Sequence, residues 1–495
     1  METVETTRTM AVGQTEAEQK TEEEKSAGSG TEGSGQTGNG EAETWLRYPQ
    51  TAAWFDAQFR AFADQNPLIA EMEERFLTTA GVDIRIIIDH WTLPPFEALT
   101  DQLTAIGMLE TPVISGDLVW RHPQARFPTI RIKASKSTPA MALAVEDIDC
   151  FALANGLAYA AVHGDPDSAY RCSHYMLPHG ELMAIVRNGY DGYTPETLNA
   201  SVREKLDCAR TSLRNRDRSG EQDSGRQSGR ASAEKDVLSR TQSLVEHVVA
   251  DLGRDRATDE FFAAEREYYL TRNAAARWQY DRQQSIGIGW ANHDHHTYRC
   301  SRSSFRALMH LWQTLGFVAR ERFYAGAEAG WGAQIVEHPV SRVVIFADVD
   351  MAPEELNIDF ATTDLAPRSS LGTIGLWCAL HGSSIASAGM HHLECEFDHV
   401  RARASMEAAG FRVMKPFTEQ PMLWQAFTEA EVWQVAPERV HSLRESGAVT
   451  PEQAERFLTQ GAAGSHLEIL QRWDGYKGFN KTGVSNIIRD TDARQ

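Results

Sequence analysis

The chain has 495 residues, 42% of them apolar and 24% charged, with a formal net charge of −20 at pH 7. That apolar share can bury a large core and excludes whole-chain disorder, and the length suits several domain-sized units. The acidity argues against nucleic acid or an anionic membrane as the main partner, and no apolar run reaches the roughly 18–20 residues a bilayer span needs.

Residues 1–44 hold ten Glu against Arg8, Lys20 and Lys25, with no Leu, Ile or aromatic residue. They read as a disordered acidic tail, since little apolar surface is present to offset ordering. The start shows no apolar secretory h-region. The six cysteines are scattered and form no C-x-x-C pair, as expected of reduced thiols in a cytosolic protein.

Residues 45–140 form a first module with leading helices. Trp54, Phe55, Phe59, Phe62, Ile69, Met72 and Phe76 recur at helical spacing over 45–80. The β-branched run Ile84–Trp91 then reads as a strand, followed by a helix bearing Phe96, Leu99, Leu103 and Ile106, and by further short strands. Residues 141–285 read as mainly helical, with a solvated insertion at 214–236 that lacks large apolar side chains.

The strand–helix–strands order returns over 286–385 and again over 386–495. His293–Cys300 leads one copy and Gly389–Phe397 the other; both following helices end in Gly-Phe, at 316–317 and 410–411, which suits a glycine C-cap. The expected fold is α+β: three divergent βαβββ modules forming curved mixed sheets, with an inserted helical region and a C-terminal helix.

Chemistry concentrates in the later copies. A strand alternates its faces, so His295 shares one with His293, Thr297 and Arg299, and His392 shares one with Glu394 and Glu396. Glu468 interrupts an apolar strand, where a buried carboxylate needs a cation or a proton. His295, His392 and Glu468 are spaced by about one module each. Two imidazoles and one carboxylate with open positions form a facial triad suited to non-haem Fe(II). Arg299 and Arg472 are candidate substrate-binding residues, Arg299 because its planar fork follows a candidate ligand on the same face. Glu337 and His338 face opposite sides of a strand and cannot easily share a metal, and the acidic run Asp348, Asp350, Glu354, Glu355 reads as a solvated loop. No Walker A, G-x-G-x-x-G after a strand, or G-x-S-x-G motif is present.

These modules resemble the vicinal oxygen chelate superfamily. Within it, GSHLEILQRWDGYKGFNKTGVSNI is similar to the end of 4-hydroxyphenylpyruvate dioxygenases, where a Glu in such a strand binds iron before a Gly/Phe-rich loop and a helix. GMHHLECEFDHV resembles that family's second-histidine strand, and HDHHTYRC its first. The resemblance runs from about residue 290 to 490. It implies Fe(2+) held by His295, His392 and Glu468, with the Phe479 region gating the pocket.

NPLIAEM, a strand with His90 and a helix ending in IGM look like the 2-oxoadipate dioxygenase/decarboxylase family, also iron-dependent. Its members carry an Arg four residues after a strand histidine. His295 and Arg299 reproduce that spacing, whereas His90 is followed by Pro94. His90 is therefore read as a structural first-module residue, with a ligand set of His90, His392 and Glu468 as the alternative. Together the resemblances imply a dioxygenase that oxidatively decarboxylates and hydroxylates a 2-oxoadipate-like 2-oxo acid. Arg299 would orient the substrate carboxylate, and Arg472 would anchor a distal carboxylate or hold Glu468 in place. The alternatives are an isomerase or lyase using another divalent metal, and a degenerate small-ligand-binding protein. Homo-oligomerisation stays open.

Overall fold

A computed structural model describes residues 45–112, 117–218, 230–327, 329–355, 357–368, 370–418 and 420–494. The acidic tail expected at 1–44 lies outside them, as do residues 219–229 of the 214–236 insertion. The flanks of that insertion are not the solvated segment expected. Arg216 and Arg218 pair with buried Glu265, Arg214 pairs with Glu267, and residues from Arg230 open the helix Arg230–Leu252.

Two helices come first, Pro49–Gln65 and Pro67–Ala80. The helical stretch read over 45–80 is two helices; Pro67 removes an N–H and turns Asn66 out of the helical conformation, φ −133°, so the chain breaks and restarts there. Phe59, Ile69, Met72 and Phe76 are fully buried, as their spacing predicts.

The first half then supplies β1 (Ile88–Leu93), β2 (Leu109–Thr111), β3 (Leu118–Arg121), β4 (Thr129–Ile132), β5 (Ala140–Ala144), β6 (Val162–His163), β7 (Tyr170–Leu177) and β8 (Gly180–Arg187). They form one sheet in the order β2-β3-β4-β1-β5-β8-β7-β6. The second half supplies β9 (His293–Arg299), β10 (Val318–Tyr324), β11 (Trp331–Glu337), β12 (Val344–Asp350), β13 (His392–Glu396), β14 (Leu423–Phe427), β15 (Glu431–Trp433) and β16 (Ala462–Arg472). Their order is β10-β11-β12-β9-β13-β16-β14, with β15 also on β16.

Each sheet is two βαβββ modules joined antiparallel through their first strands, β1 on β5 and β9 on β13. Four modules are present where three were expected. The extra one, β5 to β8, lies in the region read as helical; helices dominate only from Ala200 to Ser285. Its β5 is a short apolar run, and β8 is buried along nearly its whole length, so neither shows the alternation that separates strand from buried helix.

The helix Phe305–Leu315 closes on Gly316 in the left-handed conformation, φ 102°, as its Gly-Phe ending predicts. Its buried Trp312 packs on Phe261, Phe262 and Tyr298. One apolar cluster runs from Phe59 and Trp91 through Leu182 and Phe261 to Trp312, Leu393 and Ile469, so both sheets share a core. All six cysteines are free thiols. Among the described residues no helix is long and apolar enough to cross a membrane.

Candidate metal centre and substrate cleft

β9, β13 and β16 are neighbours, and their register decides which side chains meet. Glu394 of β13 lies opposite His295 and beside Glu468; His392 lies opposite Thr297 and beside His466. Strand alternation puts all of these on one face. His295 Nε2 is 3.3 Å from His392 Nε2, His392 Nε2 is 3.1 Å from Glu468 Oε2, and His295 Nε2 is 3.8 Å from the same oxygen. All three residues are buried. The sequence-predicted triad therefore converges.

The donor set fits a divalent ion. Metal bonds of about 2.1 Å at right angles space their donors by about 3.0 Å, close to what is found. Charge points the same way. Asp294, Glu394, Glu396 and Glu468 crowd this floor against the guanidinium groups of Arg126 and Arg472. Four carboxylates against two cations leave an excess of two negative charges. Burial, then the neighbouring Glu394, push the Glu468 carboxyl well above its usual range. Burial alone also raises Glu394, but the His295 imidazole, the hydrogen bond with Glu468 and the Arg472 charge together outweigh it and hold that carboxyl down. Burial pushes His392 well below the ordinary imidazole value, so its ring is neutral and can donate a lone pair.

A cleft of about 840 Å³ opens beside the triad. His295, Phe346, Glu394, Gln425, Arg472 and Phe479 line it; His392 and Glu468 are not among its walls. Phe479, placed by the resemblance at the gate, packs 5.1 Å from Phe346, which in turn lies 4.4 Å from the His295 ring. The opposite wall comes from the first half, through Arg85, Asp89 and the 121–129 loop. Arg126 of that loop pairs with Asp294.

Arg472 points to the Glu468 side, as expected, and forms an ion pair with Asp294, Nη2 to Oδ1 2.5 Å. Gln471 turns the other way and accepts from the His399 backbone N–H at 3.0 Å. Arg299 lies on the triad face but not on the cleft wall. It is 1% exposed, stacks 5.4 Å from Trp377, and leaves Nε and Nη2 without a hydrogen bond among the described residues. Burial lowers it to about 10 and raises Asp348, its register neighbour, to about 7, because each only partly offsets the other's desolvation.

Three expectations need correction. The ligand set with His90 in place of His295 is not brought together. His90 lies in the other sheet, with Nδ1 2.7 Å from Asp89, Nε2 3.5 Å from Arg131 and its ring against Tyr193. It pairs with Ala142 as His295 pairs with Glu394; by the same register Ala140 and Met183 stand where the second sheet has His392 and Glu468. That sheet offers no further donors at those places. Next, His293 does not share the His295 face. A register shift between Glu394 and Cys395 turns the strand, and the His293 ring packs 5.4 Å from His296 instead. The same irregularity brings Asp294 to the cleft. Finally, the acidic run is not a solvated loop. Asp350 accepts the Gly372 and Ile374 backbone N–H groups, Asp348 is buried, and Glu355 pairs with Arg302; Glu354 alone of the four is exposed.

No protein-family model and no curated protein matches the sequence. Among solved structures, a triple mutant of 4-hydroxymandelate synthase from Streptomyces coelicolor is 11% identical over 82% of this chain and 98% of its own, with a TM-score of 0.27. A methylmalonyl-CoA epimerase from Mycobacterium tuberculosis is 11% identical over 37% of this chain and 89% of its own, TM-score 0.21. A protein from Shewanella frigidimarina, provisionally classed as a hydrolase, is 16% identical over 43% and 91%, TM-score 0.30. At such scores these likenesses carry no weight on activity. The strand order, βαβββ modules paired through their first strands around a common face, is the arrangement that the resemblance to the vicinal oxygen chelate superfamily implies.

Proposed function

We propose that the chain is a non-haem Fe(II) dioxygenase that oxidatively decarboxylates and hydroxylates a 2-oxo acid of the 2-oxoadipate type. One observation supports this above the others. Two imidazole nitrogens and one carboxylate oxygen lie within 3.1–3.8 Å of one another on a buried sheet face beside a large cleft. His295, His392 and Glu468 would hold the ion, leaving positions for other ligands. Bound Fe(II) supplies the activation of O2.

The chain's own groups do the rest. The open Nε and Nη2 of Arg299 would hold a carboxylate that reaches the triad face past the cleft wall, since buried guanidinium N–H groups without hydrogen bonds call for an acceptor. Arg472 fixes the cleft side of the centre through Asp294. Phe346 and Phe479 keep water from the reacting end.

Anaerobic Fe(II) titration of the purified chain, followed by a spectral screen of 2-oxo acids, tests the reading. A charge-transfer band with one acid, then O2 uptake matched by CO2 release, is expected. Bound metal with no such band and no O2 uptake would move the assignment to an isomerase or lyase. No bound metal would leave the ligand-binding alternative.

A further inference from the structure

The two imidazoles of the triad are not held alike. His392 Nε2 has the Thr297 hydroxyl at 2.8 Å, but its Nδ1 is buried with no hydrogen-bond partner among the described residues. His295 Nδ1 lies 2.8 Å from Glu394 Oε1. A carboxylate at that nitrogen fixes the ring proton on Nδ1 and leaves the Nε2 lone pair facing His392 and Glu468.

Glu394 is tied in turn. Gln425 donates through its Nε2 to Glu394 Oε2 at 2.9 Å and to Glu468 Oε1 at 3.2 Å. One amide group thus uses both of its N–H bonds to hold two buried carboxylates side by side. Glu394 is 2% exposed, a position where an ionised carboxylate is costly unless it has work for its oxygens. Asp294 Oδ2 also approaches His295 Nδ1, but at 3.5 Å against 2.8 Å for Glu394, while the other oxygen of Asp294 pairs with Arg126 and Arg472. That leaves Glu394 as the close acceptor. In the first sheet the register equivalents of Glu394 and Glu468 are Ala142 and Met183, so the clamp is absent where the ligand set is absent.

We infer that Glu394 and Gln425 are positioning residues for the metal centre. Glu394 orients the His295 ring and sets its tautomer, and Gln425 locks Glu394 to the ligand Glu468. This rests on the metal-site reading above. It assigns work to two residues outside the ligand set, and it predicts that the centre is assembled in advance, before any ion arrives.

Co(II), stripped and reloaded under anaerobic conditions, serves as the probe in the full-length chain. Its affinity is read from its visible absorption, and folding is read separately by thermal denaturation in chelator. Wild type binds. Glu394→Gln keeps the size of the side chain but removes its charge and places amide against amide at Gln425. Its Co(II) affinity falls about 10–100-fold, the range for groups behind a metal ligand, while its melting temperature in chelator does not fall. Gln425→Leu gives a smaller loss of the same kind and guards against a misfolded Glu394 variant. A structural role alone would lower both melting temperatures and leave affinity in the folded fraction unchanged. Wild-type affinity in both variants would overturn the inference and leave the metal reading standing. Failure of wild type to bind Co(II) or Fe(II) would overturn both.

Discussion

Glu468→Gln removes one buried negative charge and leaves the size of the side chain unchanged. In the metal-loaded protein the triad thereby loses its carboxylate. A hundredfold loss of metal affinity, about 2.7 kcal/mol, is the expected scale. With free metal at about a hundred times the wild-type Kd, wild type gains about 2.7 kcal/mol of stability over its metal-free form. The variant under the same metal sits near its own Kd and gains only about 0.4 kcal/mol. In chelator the order changes. Burial and Glu394 raise the Glu468 carboxyl in the folded chain, so the folded state binds a proton that the unfolded state releases, and stability falls as pH rises above the ordinary glutamate range. A neutral amide carries no such cost. Metal-free Glu468→Gln should therefore match or exceed wild type at pH 8. Urea denaturation followed by circular dichroism, with and without metal, measures both quantities. The reasoning is refuted if the variant keeps the full metal-dependent gain, or if it is markedly less stable than wild type in chelator.

His90→Ala should leave Fe(II) or Co(II) affinity unchanged, because its ring sits among Asp89, Arg131 and Tyr193 in the other sheet; a tenfold loss by titration would contradict this. Arg299→Met should weaken 2-oxo acid binding by about 10–100-fold, the scale of a charge-assisted hydrogen bond, with metal affinity kept; calorimetric titration of the acid into the loaded protein reads it, and equal affinity sinks the role. His174 is held up at about 9 by its contacts to the Cys172 thiol and the Glu181 carboxylate. Its contribution is fully present below about 6.5 and is lost as pH rises through about 9. A stability–pH profile should therefore decline across that window, and His174→Gln should flatten the decline. Trp312→Ala should cost about 3–5 kcal/mol of unfolding free energy, since the ring is fully buried among Phe261, Phe262 and Tyr298.

The triad was legible because strand chemistry is local. Paired histidines near the starts of β9 and β13, and an acid inside the apolar run of β16, mark faces by simple alternation. What alternation cannot show is where it breaks. The irregularity beside His293 sends that ring to His296 and brings Asp294 to the cleft, so both were misplaced or missed. Glu394 was seen to share the His392 face, yet its bond to His295 depends on strand register, which no single segment encodes. The second module escaped because Ala140–Ala144 and Gly180–Arg187 are buried on both sides and carry no period-two signal. Gln425 and Arg126 reach the centre across long sequence separations, from segments with no distinguishing pattern of their own.

The sheet that carries Ala140 and Met183 in place of ligands is not idle. Its 121–129 loop forms one flank of the cleft, and Arg126 reaches over to Asp294 beside the ligand strand. The half without the three donors is thus masonry for the half that holds them. A fragment beginning after residue 190 would keep all three donors but would open the cleft beside His295 to bulk water along that flank. Dissecting this protein into an inert piece and a working piece should therefore yield two inert pieces, until they are mixed and allowed to dock again.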